Sequence, residues 1–419
     1  MLNIVAIMVV LTAAFAYLNH RFLKWPMTIG VMAIALALSL AIIGLDKLGF
    51  NVPRWHEYAL LASINFTEVL MQGMLSFLLF AGALHVDINH LRRVAWQVGV
   101  LAFVGTALST LIIGFCSWYL LAALDMAIPL VYCLLFGALI SPTDPIAVLG
   151  ILKSAKVPQS VEATIAGESL VNDGEGVVLF SLLLEMLQTG VPPTLGAGLA
   201  LFARDAIGGA IFGFALGYFV YRVLRTIDDP QVEILITLAT VVGGYALAHA
   251  LHVSGPLAMV ASGLLIGNEG RAFAMSARTR EQLDVFWQIL DAILNGVLFV
   301  LIGIVFAVIE FPPGSFVVAV LVVALCLLAR YLVVGLPVMA RPRWFGLPAR
   351  SGWLLTWSGV RGGISVALAL SLPPVPERNL ILMLTYSVVV FSILVQGLSV
   401  GRLARALGMS ADGSSGARH

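Results

Sequence analysis

Long apolar runs recur along the whole chain, and this feature restricts its fold more than any other. Cutting at polar, charged or Pro-rich breaks leaves about thirteen runs, most of them near the 20 residues that cross a bilayer. They lie at approximately 2–18, 26–44, 62–84, 94–123, 128–152, 161–186, 200–224, 232–251, 254–268, 283–309, 315–340, 350–372 and 380–405. Hydrophobic residues make up 60% of the 419 residues and charged residues 11%, which excludes a soluble domain. The sequence predicts an all-α membrane protein.

Basic residues predict the orientation of these spans. If the N-terminus lies outside, most Lys and Arg residues fall in cytoplasmic loops, and only Lys47, Arg54 and Arg378 fall outside. Because positive charge concentrates in cytoplasmic loops, we expect an odd number of spans, an external N-terminus and a cytoplasmic C-terminus, in a bacterial inner membrane. The net charge of +1 and the absence of a basic run argue against a nucleic-acid partner.

Two predicted spans carry helix-breaking residues near their middle. The fifth span contains SPTDP at 141–145, with a proline on each side of the ionisable Asp144. Proline removes a backbone hydrogen bond and clashes with the preceding turn, so we expect unwound backbone there. The twelfth span contains GVRGG at 359–363, with glycines around Arg361. The sequence therefore predicts two discontinuous helices.

The two broken spans are seven apart in the predicted order, so they cross the membrane in opposite directions. This spacing predicts an inverted repeat. Its first half is 1–186, the linking helix is 200–224, the second half is 232–407 and a short tail is 408–419. Crossing half-helices present partial charges at their ends, and Asp144 and Arg361 have the signs to balance them.

The sixth span, AGESLVNDGEGVVLF, places an aspartate in the middle of the bilayer. Asp173 lies roughly 18 Å from the start of the span, where an ionised carboxylate costs about 2.5–3.5 kcal/mol on insertion scales. Such a residue points to an ion or proton pathway. Ser169 lies one helical turn before it on the same face. The adjacent stripe of the helix holds Glu168, Asn172 and Glu175.

Three segments resemble signatures of one family. SPTDP at 141–145, GESLVND at 167–173 and GVRGGISVALALSLP at 359–373 are similar to motifs of the monovalent cation:proton antiporter superfamily, in its NhaP-type branch. The resemblance covers almost the whole chain, with the motifs in the family's order. It implies two inverted six-helix repeats with crossing helices 5 and 12, a mobile six-helix transport bundle and a homodimer. It also implies exchange of Na⁺ or Li⁺ for H⁺.

The resemblance assigns an ion-binding role to four residues. Asp173 resembles the aspartate for which cation and proton compete, and Asn172 is its structural neighbour. The Ser169 hydroxyl and the Thr143 backbone resemble further oxygen ligands for Na⁺. A neutral Asn172 leaves one titratable group in the pair, which predicts electroneutral 1:1 exchange.

Four other residues resemble the family's structural charges. Asp144 and Arg361 are similar to the pair that balances the half-helix dipoles. Glu168 is similar to a glutamate that forms an ion pair with an arginine on the eleventh span, here Arg330. We interpret this pair as structural.

Several positions depart from the family pattern or have no counterpart in it. The third span reads LLFAGAL, with Ala81 where many family members have a glutamate. Glu175 has no counterpart in the family pattern. It could face an aqueous funnel that leads to the ion site, lie at the surface or lie at a helix contact, and all three positions stay open. Five further charged residues lie close enough to predicted span ends to pair locally, and we assign them no role: Glu185, Arg204, Asp205, Glu233 and Asp291.

Other functions are weighed against Na⁺/H⁺ exchange. K⁺/H⁺ exchange on the same fold and Na⁺-coupled uptake of an organic solute stay open. A passive cation channel is the weaker alternative, because neither a TVGYG filter nor a repeated acidic position is present. No HExxH or GxSxG motif indicates an enzyme, and we expect no cofactor besides the transported ions.

Overall fold

A computed structural model of the chain describes residues 2–48, 73–144, 146–190, 195–306, 309 and 314–409. Within these ranges the chain forms helices joined by short loops, with no β-strand. Eight helices of the described residues are long and apolar enough to cross a membrane, and shorter apolar helices lie between them. The prediction of an all-α membrane protein is therefore confirmed, whereas the count of thirteen spans stays a prediction.

The helices follow the predicted order. In the first half they are α1 (Leu2–Leu18), α2 (Met27–Lys47), α3 (Leu75–Leu84), α4 (Ala95–Ala123), α5 (Leu130–Ile140), α6 (Ile146–Ser154) and α7 (Gln159–Thr189). Helix α8 (Leu195–Leu224) occupies the position of the predicted linking helix. In the second half they are α9 (Pro230–Ala250), α10 (Gly255–Leu265), α11 (Ala277–Val305), α12 (Ser315–Ala340), α13 (Ser351–Trp357), α14 (Gly363–Leu370) and α15 (Pro376–Ala406). The start of the predicted third span and the tail after residue 409 lie outside the described residues.

Local capping explains where helices begin and end. Asp229 precedes α9, and its Oδ1 accepts hydrogen bonds from the backbone N–H groups of Gln231 at 2.9 Å and Val232 at 3.2 Å. Pro230 occupies the first helical position, where no intrahelical N–H bond is lost. Gly190 ends α7 with a φ of +67°, a left-handed conformation that favours glycine.

The helices pack into two bundles. We name α4–α7 with α12–α15 the crossing bundle, and α1–α3 with α8–α11 the flanking bundle, because contacts within each group are far more extensive than between them. Glycines allow close approach within both. A Cβ at Gly137 of α5 would lie 2.3 Å from the Thr110 carbonyl oxygen of α4, and one at Gly213 of α8 would lie 2.3 Å from the Ala258 oxygen of α10.

Candidate ion-binding site

The two interrupted helices meet inside the crossing bundle. Helix α5 ends at Ile140 and α6 begins at Ile146, and the second interruption separates α13 from α14. The Asp144 backbone N–H donates to the Val360 carbonyl oxygen at 2.7 Å, so the two breaks lie against each other. Gly362 permits this approach, because a Cβ there would lie 2.1 Å from Asp144 Oδ2. The predicted crossing of two discontinuous helices is confirmed.

Arg361 lies at the C-terminal end of α5. The side chain is 3% exposed, and its Nη1 donates to the carbonyl oxygens of Ser141 and of Pro142, the latter at 2.9 Å. The last carbonyls of a helix lack intrahelical partners and carry its partial negative charge. The positive charge of the guanidinium therefore lies beside the partial negative charge at the C-terminal end of this half-helix.

A hydrogen-bonded group of three polar side chains links the first break to α7. Asn172 Oδ1 accepts from the Thr143 backbone N–H at 3.2 Å, and Asn172 Nδ2 donates to Thr143 Oγ1 at 3.0 Å. Thr143 Oγ1 and Ser169 Oγ are 2.9 Å apart and share a hydrogen bond. All three side chains are buried. The resemblance grouped these residues around one ion, and the structure shows that they are hydrogen-bonded to each other.

Asp173 differs from these neighbours because it lines a cavity. The side chain is 7% exposed and accepts no hydrogen bond from any group in the described part of the chain. The cavity has a volume of about 510 Å³, which accommodates several water molecules. Its polar mouth is formed by residues of loops that the charge pattern assigns to the cytoplasm and of the helix ends beside them: His85, Asp87, His90, Lys153, Gln159 and Glu162. Water can therefore reach the carboxylate from this side.

Glu168 and Arg330 form a buried ion pair between α7 and α12. Arg330 Nη2 donates to Glu168 Oε2 at 2.8 Å, and Nη1 donates to Oε1. Arg330 Nε and Nη2 also donate to the Leu355 carbonyl oxygen at 3.3 Å, near the end of α13. A Cβ at Gly359 would lie 2.6 Å from Arg330 Nε, so the glycine leaves room for the guanidinium. The pair ties three helices of the crossing bundle together.

The pattern of the family described as "Sodium/hydrogen exchanger, transmembrane" matches residues 9–406. The chain is 50% identical to the Na⁺/H⁺ antiporter NhaP of Pseudomonas aeruginosa, over 97% of this chain and 96% of that one. The chain belongs to the sodium/hydrogen exchanger family. The Na⁺/H⁺ antiporter NhaH of Halobacillus dabanensis is 36% identical over 93% of this chain and 94% of its own.

A solved structure shares the fold of this exchanger. The sodium proton antiporter MjNhaP1 from Methanocaldococcus jannaschii at pH 8 superposes with a TM-score of 0.77. The match covers 97% of this chain and 98% of that chain at 21% identity. At this identity the comparison supports the architecture alone.

Sequence reasoning missed a polar face of the cavity on α11. Gln288, Asp291 and Asn295 all line the cavity that Asp173 lines. The sequence predicts a span that begins at 283 and therefore has Asp291 near its end. In the structure α11 begins at Ala277, so Asp291 lies in the middle of the helix. Its spacing from Gln288 and Asn295, three and four residues, is that of one helical face and was a readable signal.

Other positions named in the sequence lie in different environments. Glu175 is 1% exposed and is not among the cavity-lining residues, and its Oε2 has no hydrogen-bond partner in the described part of the chain. Glu175 therefore lies at a contact between helices rather than in the cavity or at the surface. Ala81 lines the cavity but supplies no oxygen ligand there. Arg204 Nε donates to Asp205 Oδ1 at 2.9 Å, the local pairing expected for these two.

Two titratable groups at the cavity mouth have shifted pKa values. Burial lowers the pKa of His85 below its ordinary value of 6.5, although a hydrogen bond between its Nδ1 and the Ala81 carbonyl, at 2.7 Å, opposes the shift. The hydrogen bond from His90 Nδ1 to Asp87 Oδ2, at 2.9 Å, lowers the pKa of Asp87.

Proposed function

We propose that the protein exchanges Na⁺ for H⁺ across the membrane, and that both ions bind in turn to Asp173. One observation carries the proposal. Asp173 is a buried carboxylate without a hydrogen-bond partner among the described residues, and it lines a cavity that water can enter. A carboxyl group holds either a proton or a hard cation such as Na⁺. Binding of one ion excludes the other, which makes the protein an exchanger.

The oxygen atoms of the hydrogen-bonded group that includes Ser169, one helical turn before Asp173, suit the coordination of a hard cation. Thr143 Oγ1 and Ser169 Oγ are hydrogen-bonded to each other, and a hydroxyl has further lone pairs that can face an ion. Asn172 is held by two hydrogen bonds to Thr143 and carries no titratable proton. We therefore expect one proton to cross for each Na⁺, without net charge movement. Li⁺ is a second substrate of the same oxygen ligands.

The two bundles provide a route for alternating access. Asp173 belongs to the crossing bundle, and the cavity lies between this bundle and the flanking one. We expect the crossing bundle to move against the flanking bundle, so that the site opens to each side in turn. A carboxylate without a bound ion resists transfer through the low-dielectric barrier, so only loaded forms cross. We place the protein in a bacterial inner membrane as a homodimer, with its C-terminus in the cytoplasm.

The test is ion exchange by the purified protein in proteoliposomes that contain a pH-sensitive dye. Wild type and Asp173→Asn are compared with Na⁺, Li⁺ and K⁺ in parallel, with an ionophore that clamps the membrane potential. We expect Na⁺ and Li⁺ to drive proton movement in the wild type and no exchange in Asp173→Asn. Asp205→Asn, which removes an aspartate of α8 outside the cavity lining, is the matched control and should remain active.

Three outcomes would contradict parts of the proposal. Full exchange by Asp173→Asn would remove the role of this carboxylate. Proton movement with K⁺ alone would establish K⁺/H⁺ exchange on the same fold. Ion flux that continues without counter-ions and gives single-channel currents would establish a channel.

A further inference from the structure

Helix α11 presents a carboxylate to the inner part of the cavity, which the carboxylates of Asp173 and Asp144 also line. Asp291 lies in the middle of α11 and is partly exposed, and it lines the same cavity as Asp173. Asn295 Nδ2 donates to Asp291 Oδ1 at 3.1 Å and to its carbonyl oxygen at 3.0 Å. The bond orients the carboxylate, and Oδ2 has no hydrogen-bond partner in the described part of the chain. One oxygen atom of Asp291 is thus available to a ligand in the cavity.

The two carboxylates belong to different bundles. Asp173 lies on α7 of the crossing bundle, whereas Asp291 lies on α11 of the flanking bundle, and the cavity separates them. A movement of one bundle against the other changes their separation. A ligand group on α11 is therefore close enough to exchange an ion with Asp173 only when the cavity is open to its present side.

The chemistry of this face favours a hard cation. The carboxylate of Asp291 and the side-chain oxygens of Gln288 and Asn295 are oxygen ligands, which hard cations prefer. The basic residues that line the cavity lie at its mouth, and they are Lys153 and the histidines at 85 and 90. Asp173, more than nine-tenths buried and without a hydrogen-bond partner in the described residues, points to a ligand in this same space. The inner part of the cavity thus holds acidic and neutral groups.

We infer that Asp291 is a second, stationary cation-binding residue, which holds a partly hydrated Na⁺ and transfers it to or from Asp173 on the side where the cavity opens. This role rests on the proposed function, because it requires ion binding at Asp173. It predicts a property that Asp173 alone does not give. Loss of Asp291 should weaken Na⁺ binding from one side of the membrane only.

The experiment measures the Na⁺ dependence of exchange on each side separately, in everted and right-side-out membrane vesicles at alkaline pH. For Asp291→Asn we expect the KM for Na⁺ on the cavity side to rise roughly threefold to tenfold, the range expected for loss of one nearby opposite charge. The KM on the opposite side should stay at its wild-type value. The matched control is Glu281→Gln, which removes an exposed carboxylate of the same helix outside the cavity lining.

A second variant separates ion binding from a structural role. Gln288 is exposed, lines the cavity and lies three residues before Asp291 on the same helical face. Gln288→Glu should lower the KM on the cavity side in the wild-type background, and should restore it in Asp291→Asn. Because this variant adds a charge at an exposed position, it also tests the inference if Asp291→Asn folds poorly.

Several results would overturn the inference. They are an unchanged KM in Asp291→Asn, an equal rise on both sides of the membrane, or no effect of Gln288→Glu in either background. Asp173→Asn is measured in parallel. If it is inactive while Asp291→Asn binds Na⁺ normally, only the role of Asp291 is wrong. If Asp173→Asn is active, both proposals are wrong, because Asp291 then has no site to supply.

Discussion

The crossing of the broken helices and the cavity beside it both contain buried charged groups, but their hydrogen bonding differs. At the crossing, Arg330 forms two hydrogen bonds with Glu168, and Arg361 donates to the carbonyl oxygens of the two residues that follow α5. In the cavity and among the described residues, Asp173 has no hydrogen-bond partner, and Asp291 has a partner for only one of its two carboxylate oxygens. Partnered charges hold the helices together, whereas carboxylates with free oxygens that water can reach are available to ions.

This difference makes opposite predictions for the two regions. Substitutions at the crossing should lower stability, and substitutions in the cavity should change ion binding or the pH response while the fold is kept. Three substitutions distinguish the two regions, in order of decreasing expected effect.

Glu168→Ala should have the largest effect on stability. Removing this partner leaves the Arg330 charge buried without its counter-ion, a change that typically costs about 3–5 kcal/mol. We expect a large fall in the unfolding temperature of the detergent-purified protein, followed by tryptophan fluorescence. Replacing both residues by leucine should recover much of the loss, because neither charge is then stranded.

The control for this experiment is Arg204→Ala, which breaks the partly exposed pair with Asp205 in the first part of α8. An exposed pair contributes about 0–1 kcal/mol, so the unfolding temperature should change little. A Glu168→Ala protein of wild-type stability with selectively weakened Na⁺ binding would contradict the comparison, because a partnered charge would then act as an ion ligand.

Gly362→Ala should disturb the crossing itself. The new methyl group would meet Asp144 Oδ2 at 2.1 Å and Asp144 Cβ at 2.5 Å, so the two breaks must separate. Overpacking of this kind costs about 1–3 kcal/mol, and we expect a lower unfolding temperature together with slower exchange. Gly243→Ala is the matched control, because in the described part of the chain no atom outside the local turns of α9 lies within 4 Å of the added carbon. Equal effects of both substitutions would indicate a general loss of helix flexibility.

The smallest expected effect concerns His85 at the cavity mouth. Burial lowers its pKa below 6.5, so below that pH the unfolded chain binds more protons at this position than the folded protein does. Stability should therefore fall as the pH decreases below 6.5, and the slope should end once the pH is below the folded pKa. In His85→Gln this part of the pH dependence of unfolding should disappear.

His249→Gln, at an exposed position, is the control for the histidine prediction and should keep the wild-type slope. An identical slope in wild type and His85→Gln would show that His85 does not contribute to the pH dependence.

The sequence predicted much of the fold because its signals are local. Pro142 and the glycines at 359–363 act on the backbone at their own positions, so both breaks could be located without coordinates. Length and apolar composition similarly predicted most spans. The start of α11 was less predictable. Its first two turns are polar, so apolar composition puts the start after Ala277 and Asp291 near the end of a span.

Composition and local order alone indicated a helical membrane protein with two interrupted helices and an aspartate in the middle of a further helix, because insertion energy and helix breaking depend on these two properties. The tertiary structure decided which polar groups are partnered. It joined Thr143, Asn172 and Ser169 by hydrogen bonds, left Asp173 facing a cavity and placed Asp291 on the cavity wall formed by the other bundle. These outcomes depend on contacts between helices far apart in the chain, and no local pattern specifies them.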